Sequence, residues 1–253
     1  MRGLGAAVAL LTRIPAGRAD WDRTDLGRSV KWLPVVGGLI GLAVAAAYAG
    51  LATVMPASLA AVLSVALGVL VTGAFHEDGL ADTADAFWGG ADREDILRIM
   101  KDPDHGTYGV MALVLSVVVR VAALSTLGPV VALALLPTVH ALSRGAAVVL
   151  IRVLPPASGD GLGAAHVAPG LRGQVVTGVL VTIALGLVLG WWLVPFVLVA
   201  GAGTGLVGLL ARSRISGFTG DVLGAAEQVV EVLLMVLGAA LASNGLIETV
   251  WWS

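Results

Sequence analysis

WLPVVGGLIGLAVAAAYAGLATVMPASLAAVLSVALGVLVTGAF, residues 32–75, carries no Asp, Glu, Lys or Arg across 44 positions. A membrane-spanning helix needs about 20 mostly apolar residues, so this stretch has room for two, with the turn near Met55-Pro56-Ala57-Ser58. Outward from it, residues 121–143 are also uncharged and extend an apolar run from 108 that only Arg120 interrupts. Gly128-Pro129 divides that region into a third and a fourth span. Residues 173–211 are uncharged and break near Trp191 to Pro195 into a fifth and sixth, and the run 229–247 makes a seventh. The fold expected is all-α: a polytopic integral membrane helix bundle of about seven transmembrane helices.

Composition agrees. Of 253 residues, 58% are hydrophobic and 13% charged, with mean hydropathy +0.95. Soluble domains carry nearer 25% charged residues. A soluble fold of this composition would leave large apolar patches in water. The formal net charge of −2 provides no basic footprint for nucleic acid, and the absence of Cys excludes thiolate metal sites. Residues 3–12 are apolar behind Arg2, but Arg13 follows without a small-residue cleavage pattern. They read as a short interfacial or half-buried helix, not a cleaved signal. Gly pairs four apart, Gly37 with Gly41, Gly186 with Gly190 and Gly201 with Gly205, suggest tight helix packing. GAGTGLVG at 201–208 lies in an uncharged span with no preceding strand, which disfavours a dinucleotide loop.

The few charges are sided. If residues 1–31 lie on one side, that side also receives the loops near 76–107, 152–174 and 212–228. Together they hold 13 of the 15 Lys and Arg residues, while Arg120 and Arg144 fall inside spans and only Glu248 among the acids lies opposite. The positive-inside rule then places the amino terminus and these loops in the cytoplasm, with the protein multi-pass in the cytoplasmic (inner) membrane. The chain reads as one membrane-embedded catalytic domain, 1–253, with active-site loops at 76–107 and 212–228.

Chemistry is expected where acids crowd a membrane edge. HEDGLADTADAFWGGADREDILRIMKDPDHGT, residues 76–107, holds nine carboxylates between spans two and three. Asp78, Asp82 and Asp85 stand at i, i+4 and i+7, one stripe of a helix. Like charges at that spacing repel. A divalent cation removes the repulsion, and Mg²⁺ takes a few carboxylate oxygens and completes its shell with phosphate and water. A solvated acidic loop is the plain alternative, and Asp92, Glu94 and Asp95 fit it, because they open an amphipathic stretch with Ile96, Leu97, Ile99 and Met100. Lys101 suits a phosphate as a point charge. Gly106 and Gly109 bracket Thr107-Tyr108, whose amides could face an anion at the start of the next helix. Asp102 lies in the same loop. His105 is a candidate acid, base or phosphate donor, and His76 a candidate base beside Asp78.

Arg144, within the fourth span, calls for a carboxylate or an anionic substrate. Arg120 has the same claim or pairs with a buried acid, and His140 suits an interhelical bond. In SGFTGDVLGAAEQVVE, 216–231, Asp221 lies among Gly217, Gly220 and Gly224 and could supply a further metal ligand, while the glycines admit a bulky ligand. Glu227 and Glu231 follow as that helix enters the bilayer.

Together these residues resemble the adenosylcobinamide-GDP ribazoletransferase (cobalamin synthase) family. The resemblance runs through LTRIP at 11–15, LPVVGGLIG at 33–41, HEDGLADTADAFWGG at 76–90, RIMKDPDHGTYGV at 98–110, Ser143-Arg144 and GFTGDVLGAAEQVVE at 217–231. Two positions depart from the pattern: Glu77 replaces what is often apolar, and Val222 stands where Thr is common. The resemblance implies that adenosylcobinamide-GDP and α-ribazole, or its 5′-phosphate, give adenosylcobalamin, or its 5′-phosphate, and GMP, with Mg²⁺ required. Asp78, Asp82, Asp85 and Asp221 would then hold one or two Mg²⁺ on the pyrophosphate. Lys101 and Arg144 would contact phosphate oxygens, and His76 or a free Asp would act as base. Asp102, His105, Gly106, Thr107, Gly217, Gly220 and Gly224 would line the substrate. The spacing of Asp78, Asp82 and Asp85 also looks like that of membrane CDP-alcohol phosphotransferases.

The partners expected are the corrinoid nucleotide, α-ribazole and the lipid bilayer, with a homo-oligomer admitted. The rival enzyme class is a CDP-alcohol- or prenyl-diphosphate-type transferase. A transporter would gather acids near the bilayer midplane, whereas here they gather at one surface.

Overall fold

The structure, a computed structural model, describes residues 2–16, 21–157 and 170–247. Arg18, Glu248 and much of the 152–174 loop lie outside the described residues. The described residues form helices α1 (Arg2–Leu11), α2 (Arg23–Ser29), α3 (Leu33–Leu51), α4 (Ala57–Thr72), α5 (Phe75–Gly89), α6 (Arg93–Ile99), α7 (Thr107–Ser125), α8 (Pro129–Val153), α9 (Leu171–Gly186), α10 (Leu193–Ile215) and α11 (Gly220–Ser243). The chain is a polytopic helix bundle with no strand among the described residues.

Five helices are long and apolar enough to cross a membrane, six if α4 and α5 count as one bent span. The seven expected differ from this in two places. The second expected span is the 16-residue α4, which meets α5 at 88°. The fifth and sixth run together over Leu171–Ile215, yet Gly190 (φ 57, ψ −132) interrupts the helix. There α9 and α10 fold back, and both line one groove against α8. Helix α1 has 10 residues, too few to span, and buries Gly3, Ala6, Ala7 and Leu11.

Residues 76–89, in the expected connection between spans, are helical, as the i, i+4, i+7 stripe requires. Gly73 (φ 65) ends α4 and Ala74 (φ 59) restarts the chain, both in the left-handed region, which costs an alanine roughly 1–2 kcal/mol. The amino-terminal segment covers the corner: the Arg13 amide donates to Val71 O at 2.8 Å, and a Cβ on Gly73 would strike the Arg13 side chain. Helix α5 carries four carboxylates and packs against α7 and α11.

Helix α8 is the central post, with most of its length buried. Gly37 and Gly41 let α3 reach it: a Cβ would come within 2.6 Å of His140 O at one and 2.4 Å of Leu136 O at the other. Gly201 and Gly205 do not act this way, since nothing lies within 4 Å of a Cβ at either. The tight packing expected there is absent, because α10 meets α11 through Gly203, whose Cβ would face Leu233 and Val230.

Candidate active site

Helix α5 presents two faces. Asp78 is exposed and Asp82 half-buried, one turn apart on the open side, while His76, Glu77 and Asp85 are buried. Opposite the open side, the 102–106 loop brings in His105. Its Nδ1 lies 3.3 Å from Asp82 Oδ1 and its Nε2 3.8 Å from Asp78 Oδ1. Ligand atoms of Asp78, Asp82 and His105 fall within 4.8 Å of one another.

Asp85 sits under that loop. Its carboxylate accepts the Gly106 amide at 2.7 Å and the Gly109 amide at 2.9 Å. A Cβ at either glycine would come within 2.7 Å of that carboxylate, so glycine is required for the approach. Asp85 thus pins the start of α7 and delivers His105 to the other two carboxylates. Asp221 arrives from α11, where Thr219 caps the helix by accepting the Val222 amide. A Cβ on Gly79 would come within 2.8 Å of Asp221 O, and one on Gly224 would lie 3.4 Å from His76 Cα. Gly79 and Gly224 therefore bring α5 and α11 into backbone contact and place Asp221 beside the cluster. Partial burial, then the charges of Asp78 and Asp221, push the Asp82 carboxyl up to about 6, with His105 opposing.

Two oxygen donors and one imidazole form the set. Carboxylate oxygens suit Mg²⁺, and imidazole suits it poorly, so Asp78 and Asp82 fit the ion as ligands and His105 fits as their hydrogen-bonding neighbour. Lys101, Asp102 and Thr107 are exposed on the loop beside them. Gly217 is buried against Pro155 O, in the one β-bridge, Pro156 with Phe218, found among the described residues. Gly217 and Gly224 thus pack backbone rather than admit a ligand. Gly220 is half-buried at the head of α11.

His76 and Arg144 lie elsewhere, inside the bundle, each 2% exposed. His76 Nε2 is 2.9 Å from Glu227 Oε2, and the Arg144 Nε is in contact with the other oxygen of Glu227. Arg144 Nη1 donates to Glu231 at 2.9 Å and meets His140 Nδ1 at 3.1 Å. Arg120 Nη1 donates to Glu77 at 3.0 Å and Glu231 at 3.2 Å, and Gln228 donates to Glu77 at 3.3 Å. Three carboxylates and two guanidiniums thus join α5, α7, α8 and α11. Both intramembrane arginines meet carboxylates, as their burial in an apolar span calls for, and the acids are Glu77, Glu227 and Glu231. The signal lay in Glu227 and Glu231, acids at i, i+4 inside an apolar run.

Fold and site define a polytopic membrane protein whose uncompensated carboxylates cluster at one end of the bundle. The cobalamin-5-phosphate synthase family model matches residues 3–239, and the chain belongs to that family, a transferase in cobalamin synthesis. It is 42% identical over 248 residues to an adenosylcobinamide-GDP ribazoletransferase of Rhizobium etli (strain CIAT 652), covering 93% of this chain and 95% of the relative. Its identity to one of Sinorhizobium medicae (strain WSM419) is 43%, covering 92% and 93%. To one of Chlorobaculum tepidum it is 38%, covering 94% and 95%. No solved structure matches the chain.

Proposed function

We propose that this chain joins adenosylcobinamide-GDP to α-ribazole, or its 5′-phosphate, giving adenosylcobalamin, or its 5′-phosphate, and GMP. A ribose hydroxyl attacks the phosphorus nearest cobinamide, a new P–O bond forms, the pyrophosphate bridge breaks, and GMP leaves with the bridging oxygen. The convergence of Asp78, Asp82 and His105 within 4.8 Å carries this reading.

The chemistry asks for positioning and for neutralisation of phosphate charge. Asp78 and Asp82, with Asp221 alongside, would hold Mg²⁺, which supplies Lewis-acid stabilisation of charge on the transferring phosphoryl group and on the departing GMP. Lys101, on the exposed loop, supplies a point charge for phosphate oxygens. His105, accessible and beside Asp82, would take the proton of the attacking hydroxyl. His76 is not so placed, being enclosed against Glu227. Asp85 acts through the loop that it pins, and Arg144 through the scaffold that it ties. The site end, rich in Arg and Lys, faces the cytoplasm of the inner membrane on the positive-inside rule.

Membranes carrying the protein, supplied with adenosylcobinamide-GDP, α-ribazole and Mg²⁺, should release GMP in step with corrinoid product. Absence of GMP release with both substrates verified overturns the assignment.

A further inference from the structure

Helices α8, α9 and α10 enclose a groove of about 420 Å³, remote from the carboxylates. It runs along α10 from Val197 to Arg212, 15 residues apart and so about 22 Å at 1.5 Å per residue. The groove is therefore long. Its walls are aliphatic and small, and Gly201 and Gly205 keep it open, with nothing within 4 Å of a Cβ at either. Its two hydroxyls are turned away: Thr204 donates to Ala200 O at 2.7 Å and Thr182 to Gly178 O at 2.8 Å. Walls with no free polar group suit an apolar chain.

One end is basic. Arg212 lines the groove mouth and is exposed, and among the described residues no acid pairs with it. Arg152 in the last turn of α8 and Arg172 in the first turn of α9 lie at the same end.

We propose that the groove holds one acyl chain of an anionic phospholipid, with the headgroup at Arg212. The occupant is a fixed component of the bundle: without it α9 and α10 have an unfilled seam against α8.

The test uses the full chain in phosphatidylcholine nanodiscs doped with phosphatidylglycerol bearing a photoactivatable acyl chain. Cross-links should concentrate in residues 142–154 and 197–212. Gly201→Leu with Gly205→Leu should lower that labelling about tenfold, and the open space at both positions lets the larger side chains enter without moving a helix. Arg212→Gln, a surface change, should abolish the preference for the phosphatidylglycerol probe over a phosphatidylcholine probe. Even labelling of all lipid-facing helices, unchanged in the Gly variant, overturns the proposal. Cross-links joining two copies through α10, with a dimer mass and no bound lipid, overturn it in favour of a second copy.

Discussion

Successive residues of one helix meet opposite fates. His76 and Glu77 of α5 turn inward to a network where Glu77, Glu227 and Glu231 meet Arg120 and Arg144. Asp78 and Asp82 turn outward to a cluster where only His105 offers positive character. Inside, leaving a charge unpaired costs several kcal/mol, so every carboxylate there has a basic partner. Formally that network carries one excess negative charge. At the open end water tolerates unpaired carboxylates, and their convergence suits a divalent cation. Burial with compensation marks scaffold, and exposure without compensation marks the site.

The sharpest way to break this contrast is to remove the acid that both arginines share. Glu231→Ala should destabilise the protein by about 1.5–3 kcal/mol for each of the two charge-assisted hydrogen bonds it removes, with Arg120 kept on Glu77 and Arg144 on Glu227, read as thermal unfolding in detergent. Asp82→Asn should do the reverse. Folding should be unimpaired, because a like-charge repulsion is relieved, while GMP release falls about 10²–10³-fold. Asp85→Asn tests whether the third carboxylate positions the loop. It weakens two charge-assisted bonds to the Gly106 and Gly109 amides, each worth about 1.5–3 kcal/mol. Exchange protection at those amides should fall together with turnover, while Mg²⁺ binding stays near wild type. The smallest effect is on pH. With Asp82 held near 6 in the metal-free protein, its proton must leave before a cation binds. Apparent Mg²⁺ affinity should therefore be flat above that pH and weaken below it, by at most about tenfold per pH unit. Asp82→Asn should flatten the profile.

Much of this was legible from local pattern. Uncharged runs mark the apolar helices, and the i, i+4, i+7 spacing places Asp78, Asp82 and Asp85 on one helix stripe. What escaped depends on distant partners. The 88° corner needs Ala74 in a left-handed conformation and Arg13 laid over Gly73 from 60 residues away. Asp85 leaves its expected partners because the loop carrying Gly106 and Gly109 folds over it. Glu77, a departure from the family pattern, is matched to Arg120 and to Gln228, 151 residues on. Gly201 and Gly205 share the spacing of Gly37 and Gly41 but face a groove. Spacing alone does not say whether a neighbour is present.

If the open carboxylates hold a divalent cation and the buried ones do not, only the former should bind a paramagnetic ion. Mn²⁺ binding to the purified protein, read by electron paramagnetic resonance and competed with Mg²⁺, tests it most directly. The bound Mn²⁺ should be lost in Asp82→Asn and retained in Glu227→Gln where that variant remains folded. Full Mn²⁺ binding by Asp82→Asn would contradict it.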